Sequence, residues 1–268
     1  MVSWINSPAA WLSRHWSDFP LQPIVLITGG SRGIGAATAL LAAQRGYAVA
    51  VNYATNSLAA DEVVRTIRAA GGAAITVQAD VAVESQVLAM FDKVDAKLGR
   101  LTALINNAGV VDVASRVDAM DVARLQRMFN TNILGSFVCA REAVKRMSTR
   151  YGGTGGSIVN VSSAAARIGS PGQYVDYAAS KGAIDTFTLG LAKEVATEGI
   201  RVNGVRPGII DTEIHASGGQ PDRALQVAPQ VPMQRPGTAQ EVAQAILWLM
   251  GLEASYTTGI LLDVAGGR

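Results

Sequence analysis

The sequence has 268 residues, of which 49% are hydrophobic and 16% are charged, with a formal net charge of +2. This composition can bury a large core and excludes an intrinsically disordered chain. The low net charge and the absence of a basic run argue against a nucleic-acid partner, and no apolar run reaches the roughly 18 residues that span a membrane.

Cysteine and histidine are too few for several kinds of site. Cys139 is the single cysteine, and His15 and His215 are the two histidines. An internal disulfide is therefore excluded, and a zinc site or a Ser-His-Asp triad has too few residues to be built from. We expect no metal.

The first 22 residues are unlike the rest of the chain. They contain Trp4, Trp11 and Trp16 but lack the basic start, apolar core and small-residue cleavage site of a signal peptide. We predict an N-terminal extension of unknown role over residues 1–22, a single dinucleotide-binding catalytic domain over residues 23–268, and a cytoplasmic protein.

From Pro23 onward, apolar runs of strand length alternate with helical patterns, which is typical of a parallel sheet with crossover helices. The predicted strands are Ile24–Thr28, Tyr47–Asn52, Ile75–Ala79, Ala103–Asn106, Ser157–Val161, Arg201–Val205 and Ile260–Val264. The predicted helices are Ile34–Arg45, Leu58–Ala70, Val83–Leu98, Val122–Met147, Asp176–Thr197 and Ala239–Gly251. Between residues 211 and 236 the pattern predicts a loop with one short helix. The fold class is therefore α/β, a Rossmann-type doubly wound parallel sheet of about seven strands with helices on both faces.

A glycine-rich turn, Thr28-Gly29-Gly30-Ser31-Arg32-Gly33-Ile34-Gly35, joins the first predicted strand to the first helix. Glycine allows positive φ angles and a close approach of the backbone to a ligand, and the N-terminus of a helix attracts a pyrophosphate. The spacing of Gly29, Gly33 and Gly35 differs from the G-x-G-x-x-G fingerprint. This turn predicts a dinucleotide site.

The choice between the two nicotinamide dinucleotides depends on the end of the second strand. NAD-binding proteins place an acidic residue there for the ribose hydroxyls, whereas this chain has Asn52 and Tyr53. Arg32, inside the turn, can pair with a 2′-phosphate. We predict NADP as the cofactor, with NAD as the alternative.

Tyr177 and Lys181 are four residues apart in a predicted helix, so their side chains share one face. A free phenol has a pKa of about 10, and an adjacent ammonium lowers it, which makes a tyrosine a working acid or base. The alternative is an ordinary surface pair.

Seven motifs occur in a fixed order, and together they resemble the short-chain dehydrogenase/reductase family of the single-domain type. The motifs are Thr28 to Gly35, Asp80, Asn106-Asn107-Ala108-Gly109, Asn132-Ile133-Leu134-Gly135, Ser162-Ser163, Tyr177 to Lys181, and Pro207-Gly208 with Thr212. The resemblance covers residues 23–267. Residues 171–176 and 233–236 further resemble a bacterial subgroup of uncharacterised or glucose-dehydrogenase-like oxidoreductases.

The resemblance implies a catalytic tetrad of Asn132, Ser163, Tyr177 and Lys181. Ser163 would hydrogen-bond the substrate oxygen, Tyr177 would exchange a proton with it, and Lys181 would lower the pKa of Tyr177 and bind the nicotinamide ribose. Asn132 would hold a water that relays protons. The cofactor would be bound by Thr28, Gly29, Ser31, Arg32, Gly33, Ile34, Gly35, Asn52, Tyr53, Asp80, Val81, Asn107, Ala108, Gly109, Tyr177, Lys181, Pro207, Gly208, Ile210 and Thr212.

Ser163 and Tyr177 are fourteen residues apart, one more than is common in the family, and this leaves Ser162 as an alternative to Ser163. We expect the extra residue within residues 170–176. The residues at 164–176 and 211–232, which we expect to select the substrate, suggest a neutral or weakly polar small molecule. Arg167, Asp176, Glu213 and His215 are the charged or ionisable candidates there.

The resulting hypothesis is an NADP(H)-dependent oxidoreductase that interconverts a carbonyl and an alcohol, with Tyr177 as general acid/base. An NAD-linked sugar or alcohol dehydrogenase is one alternative, and a non-catalytic dinucleotide-sensing protein is another. The Tyr-to-Lys spacing disfavours enoyl-thioester reductases, which in this family use a longer one. The resemblance also implies a homotetramer, with one interface formed by the Asn132 and Tyr177 helices. The apolar residues 242–250 and 260–264 are consistent with a second interface.

Overall fold

The computed structural model describes residues 22–268, so the predicted extension lies outside the described residues except for Gln22. The strands are β1 (Ile24–Ile27), β2 (Ala48–Tyr53), β3 (Ala74–Gln78), β4 (Ala103–Asn106), β5 (Gly156–Val161), β6 (Ile200–Pro207), β7 (Ile210–Asp211), β8 (Gly237–Thr238) and β9 (Leu261–Val264). Seven of them form one parallel sheet in the order β3-β2-β1-β4-β5-β6-β9, while β7 and β8 pair separately. The predicted seven-stranded parallel sheet is confirmed.

Helices cover both faces of this sheet. They are α1 (Gly33–Gln44), α2 (Ser57–Ala69), α3 (Glu84–Lys97), α4 (Val122–Phe129), α5 (Gly135–Met147), α6 (Ala165–Ile168), α7 (Val175–Val195), α8 (Ile214–Ser217), α9 (Arg223–Val227) and α10 (Ala239–Met250). One buried cluster joins the sheet to α3, α5 and α7, and a second joins it to α1, α2 and α10. Because both faces are covered, β1 is apolar and buried at all four positions.

The long helix predicted from residue 122 to 147 is interrupted. A π-helical turn, Asn130–Leu134, separates α4 from α5. Gly135 follows this turn, and a Cβ atom on it would lie 2.8 Å from the side chain of Val81. The helix therefore passes very close to the loop after β3, which places the π turn beside the carboxyl end of the sheet. Apolar periodicity does not distinguish a π turn from an α turn, and π turns are frequent at functional sites.

The segment between β7 and β8 contains two short helices, α8 and α9, instead of the one predicted. After it, α10 begins with a capping box, in which Glu241 N donates to Thr238 Oγ1 and Thr238 N donates to Glu241 Oε2. The apolar residues of α10 pack against the sheet within the chain, and Val242, Ile246 and Leu247 are fully buried. These three residues are accounted for by the core, whereas Trp248 on the same helix is 39% exposed.

The strands β2 and β4 lie on opposite sides of β1, so the strand order reverses between β1 and β4. In open α/β sheets, ligands bind at the carboxyl ends of the strands beside such a reversal. Among the described residues, no helix is long and apolar enough to cross a membrane.

Candidate active site

The loops after β1 and β4 are tied together by one asparagine. Asn107 Nδ2 donates to the carbonyl oxygens of Thr28, at 2.9 Å, and of Gly29, at 3.0 Å. In return, Thr28 Oγ1 accepts hydrogen bonds from the backbone N–H groups of Asn107 and Ala108. Thr28 and Asn107 therefore act here as structural braces that fix the shape of the turn.

The turn has the shape of an anion-binding cradle. Gly29 and Gly33 have φ angles of +59° and +52°, a conformation that glycine adopts without strain. A Cβ atom on Gly35 would overlap the carbonyl oxygen of Gly29 and lie 2.7 Å from Asn107 Nδ2. In this described stretch, the first turn of α1 has neither a side-chain cap nor an acidic residue, so its N–H groups remain available. The cradle fits the pyrophosphate of a dinucleotide.

Asn52 differs from its predicted role. Its side chain is buried, with Oδ1 accepting from Gly29 N at 3.1 Å and Nδ2 donating to the carbonyl oxygens of Val77 and Ala79. The amide is thus occupied in holding the glycine-rich turn to β2 and β3. We correct Asn52 from a direct cofactor contact to a residue that supports the turn. Sequence alone did not reveal this, because a strand that is buried on both faces has no polar alternation to show which way Asn52 points.

Two nearby side chains, at the end of β2 and in the turn, keep contact with solvent. Tyr53 is half-buried, and Arg32 is exposed, with Nη2 at 3.3 Å from Ser217 Oγ on α8. Beyond β3, Asp80 is exposed and its Oδ1 accepts a hydrogen bond from Ala82 N, while Val81 is buried. Ser31 is half-buried in the turn, and Ile34 lines the cleft described below.

The two serines at the end of β5 have different partners. Ser162 is buried, and its hydroxyl donates to the carbonyl oxygen of Lys181 at 3.1 Å. Ser163 is hydrogen-bonded through its side chain to Tyr177, and its Oγ also accepts from Ala165 N. This geometry favours Ser163 as the serine that meets a substrate, since Ser162 is occupied in joining β5 to α7.

Fourteen residues separate Ser163 from Tyr177, and the chain between them forms α6 and a tight turn. Gly169, Ser170 and Gly172 all have positive φ angles in this turn, with Ser170 at +46°. A left-handed backbone is uncommon for a serine and marks a position held by its surroundings. Ser170 lines the cleft.

Lys181 lies deep beside Tyr177. Its Nζ donates to the carbonyl oxygen of Val161 at 2.8 Å and is 5.6 Å from the centroid of the Tyr177 ring. Burial lowers the pKa of Lys181 to about 8, and the nearby Asp185 carboxylate acts in the opposite direction. Lys181 can therefore change its protonation close to neutral pH.

The expected lowering of the Tyr177 pKa by Lys181 does not occur in this arrangement. Burial raises the pKa of Tyr177 above its ordinary value, and the hydrogen bond with Ser163 is what lowers it. The reason is that the Lys181 ammonium is directed to a backbone carbonyl and lies over the ring, while desolvation of the phenolate dominates.

Asn132 is in the π-helical turn and is buried. Its Oδ1 accepts from Val110 N at 2.8 Å, and its Nδ2 donates to Val110 O at 3.0 Å and to Ser180 Oγ at 3.1 Å. Ser180 Oγ in turn donates to the carbonyl oxygen of Tyr177. A Cβ atom on Gly109 would lie 3.5 Å from both Asn132 Oδ1 and Lys181 Nζ. Asn132 thus links the loop after β4 to α7 beside the lysine.

A cleft that is partly open to solvent contains Ser163, Tyr177 and Lys181. Its walls come from the loops after β4, β5 and β6 and from the segment with α8 and α9. The predicted cofactor residues that line it are Ile34, Asn107, Gly109, Pro207, Gly208, Ile210 and Thr212. The predicted site residues from five separate parts of the chain therefore meet at one cleft.

Asp176 was predicted as a candidate for substrate recognition, and its position contradicts this. Its carboxylate is buried and forms a two-pronged ion pair with Arg124, at 2.7 Å to Nε and 3.3 Å to Nη2. This pair anchors the start of α7 to α4, one residue before Tyr177. Two arginines that were not predicted, Arg223 and Arg268, line the cleft instead. Arg268 follows the last strand by four residues, and no sequence motif marked it.

Comparison with known proteins agrees with this geometry. A family model described as enoyl-(acyl carrier protein) reductase matches residues 29–268. The uncharacterised oxidoreductase YgfF of Escherichia coli (strain K12) is 59% identical over 245 residues, which cover 91% of this chain and 99% of that protein. The 3beta-hydroxysteroid dehydrogenase 1 of Eggerthella lenta is 39% identical over 91% of this chain and 92% of its own length.

A solved structure of a dehydrogenase/reductase from Sinorhizobium meliloti 1021 superimposes with a TM-score of 0.85. It is 31% identical, and the match covers 92% of this chain and 95% of that one. This likeness agrees with the fold described above, a parallel sheet with helices around it.

The lowered pKa of Lys181 predicts a pH dependence of stability. The folded state releases the lysine proton near pH 8, whereas the unfolded state retains it to about pH 10.5, so the unfolded state binds more protons between these values. The cost of burying the charge therefore disappears as pH rises. We expect the free energy of unfolding of the wild type to rise relative to Lys181→Met between pH 8 and 9.5, by up to about 1 kcal/mol per pH unit.

Urea denaturation at a series of pH values measures this difference. The comparison with Lys181→Met cancels the other groups, including Cys139, whose pKa burial raises to about 12. A wild-type curve parallel to that of the variant across this range would contradict the prediction.

Proposed function

The chain belongs to the short-chain dehydrogenase/reductase family, and we propose that it is an NADP(H)-dependent oxidoreductase that interconverts a carbonyl and an alcohol. The observation that carries this proposal is that Ser163, Tyr177 and the buried Lys181 line one cleft at the carboxyl end of the sheet. A non-catalytic relative would not need a serine, a phenol and an ammonium held together at the carboxyl end of the sheet.

Each of these side chains has a chemical role in the proposed reaction. When bound, the nicotinamide dinucleotide supplies or accepts the hydride. Ser163 Oγ hydrogen-bonds the substrate oxygen and stabilises the negative charge that develops on it. Tyr177 gives its hydroxyl proton to that oxygen during reduction and takes it back during oxidation.

Lys181 and Asn132 serve the tyrosine. The Lys181 ammonium lies beside the ring, and with a pKa near 8 the lysine can return a proton after Tyr177 gives up its own. Asn132 holds the loop after β4 and, through Ser180, the turn of α7 that carries Tyr177. We propose that the tetrad works as a unit in which Ser163 and Tyr177 contact the substrate.

The proposed preference for NADP depends on charge at the adenosine end. Asn52 is buried and Tyr53 is uncharged, so the end of β2 provides no carboxylate for the ribose hydroxyls. Arg32 is exposed in the turn, and an arginine at this turn can pair with a 2′-phosphate. A carboxylate at residue 52 or 53 would instead have repelled that phosphate.

The spacing of Tyr177 and Lys181 bears on the reaction class. The two residues are one helical turn apart, with the ammonium 5.6 Å from the ring centroid. We propose carbonyl reduction in preference to enoyl reduction, because the short spacing keeps Tyr177 next to Ser163, where both hydroxyls can reach one substrate oxygen.

We also propose a homotetramer, supported by an apolar patch on α5 and α7. Phe137 is 44% exposed although its ring stacks on Phe187 at 3.8 Å. Leu134, at the end of the π turn, is 51% exposed. Large apolar side chains grouped in this way favour a contact with a second copy of the chain.

Replacing Tyr177 with Phe removes the proposed proton donor and leaves the ring. We expect turnover of a ketone with NADPH to fall by about 10²- to 10⁴-fold, while NADPH binding, followed by its fluorescence, is retained. Tyr151→Phe, on the exposed Tyr151, is the matched control and should be unaffected. Near-normal turnover by Tyr177→Phe would remove Tyr177 from the mechanism.

Replacing Arg32 with Ala tests the cofactor preference. We expect kcat/KM for NADPH to fall by about 10- to 100-fold, because charge-assisted hydrogen bonds to the 2′-phosphate are lost, with little change for NADH. Arg65→Ala, which removes an exposed arginine on α2, is the control. Equal losses of kcat/KM with NADPH and NADH would show that Arg32 does not bind the 2′-phosphate.

Light scattering tests the assembly. We expect a mass of four chains for the wild type and a smaller mass for Phe137→Asp, since a charge would be placed in the apolar patch. A wild-type mass of one chain would refute the proposal.

A further inference from the structure

The charged side chains that line the cleft in the described part of the chain are all positive. Among the described residues that line it, the cationic side chains are Lys181, Arg223 and Arg268, and none of the others is an aspartate or a glutamate. Lys181 is beside the reacting groups, so two arginines remain without a role in the proposed mechanism. Much of the remaining wall is apolar, formed by residues such as Ile168, Ile209 and Ile214.

The chain is shaped to hold Arg268 at this cleft. After β9, Gly266 and Gly267 turn the backbone with φ angles of +62° and +91°. A Cβ atom on Gly266 would lie 2.8 Å from Val231, so this close turn requires glycine. Arg167, on α6, then donates from Nη2 to the main-chain oxygen of Arg268 at 3.1 Å.

Arg167 is itself held by Asp263 on β9, with 3.0 Å between Nη1 and Oδ2. Arg268 is thus connected to both α6 and β9, the elements that border the cleft on this side. Its position is determined by the turn after β9 and by the bond from Arg167, which the ion pair with Asp263 holds in place.

The guanidinium of Arg268 has an unused donor. Its Nη1 is buried and has no hydrogen-bond partner within the described residues. A buried donor without an acceptor is costly, and more so when it carries charge. By contrast, Arg223 donates to the Gln220 and Gln173 side chains at 2.8 Å each, and its guanidinium lies 5.1 Å from the centroid of the Tyr174 ring. Arg223 is therefore a fixed positive charge, and Arg268 provides the free donor.

We propose that the substrate carries a carboxylate at the end remote from the reacting carbonyl or alcohol, and that Arg268 binds this carboxylate while Arg223 adds attraction. The inference rests on the proposed function and specifies its substrate class, an oxo acid or hydroxy acid with an apolar middle. A phosphate is a poorer fit, because a dianion calls for several free donors and the described wall is largely apolar. The proposed acid differs from the neutral or weakly polar substrate that the sequence suggests.

Paired substrates test the proposal. Oxocarboxylates from 4-oxopentanoate to 7-oxooctanoate are compared with their methyl esters, which keep the ketone and remove the charge, using NADPH. We expect the best acid to exceed its ester in kcat/KM by at least tenfold. Arg268→Gln should reduce this ratio by about 10- to 100-fold, mainly through KM of the acid, and leave the ester unchanged. Arg65→Gln is the matched control and should keep the ratio.

A second readout does not require turnover. With NADP bound, benzoate should raise the melting temperature of the wild type more than benzamide does, and Arg268→Gln should lose the difference. The carboxylate site would be overturned if the wild type reduced the esters as well as the acids and Arg268→Gln had the same acid-to-ester ratio of kcat/KM. That result would leave the proposed reductase function intact. Turnover that survives Tyr177→Phe would instead overturn the proposed function, and the benzoate measurement would then decide the anion site by itself.

Discussion

Asn107 donates from one amide group to the carbonyl oxygens of Thr28 and Gly29, and the rest of the site depends on this connection. Loops at the carboxyl ends of parallel strands have backbone groups that the sheet does not pair. Two further asparagines satisfy such groups nearby, Asn52 beneath the glycine-rich turn and Asn132 beside the loop after β4. An amide both donates and accepts, so each asparagine can fix a loop that an apolar residue could not. The cradle and the cleft keep their shapes because these amides are occupied, and those of Asn52 and Asn132 are also buried.

The proposed catalytic groups are held in a similar way, by bonds that leave their reactive atoms at the cleft. Ser162 connects β5 to the backbone of Lys181, so the adjacent Ser163 is left to meet Tyr177. The ion pair of Asp176 with Arg124 anchors the helix one residue before Tyr177. Breaking such a buried pair would leave an uncompensated charge, which is typically costly by about 3–5 kcal/mol. The start of α7 is therefore held firmly where a small displacement would matter most.

Sequence patterns predicted the sheet, its strands and the meeting of Ser163, Tyr177 and Lys181, because motif order and parallel topology together determine which strand ends share an edge. They did not predict the inward direction of Asn52 or the ion pair of Asp176, since the direction of a side chain in a turn depends on packing. The π turn at Asn132 escaped because its apolar spacing resembles that of an α-helix. Arg268 was missed for a different reason: it belongs to no motif, and only the turn at Gly266 and Gly267 brings it to the cleft.

The position of β1 has a consequence for how the chain acquires its structure during synthesis. β1 is the first of the described strands to be made, yet Thr102, the residue before its partner β4, bonds to Ile24 across 78 residues. Until β4 leaves the ribosome, one edge of β1 is exposed, and unpaired edges promote aggregation. The cleft forms later still, because β9 must join β6 before Arg268 can reach it. Nascent chains interrupted before β9 would therefore contain most of the cofactor cradle but lack one end of the substrate cleft.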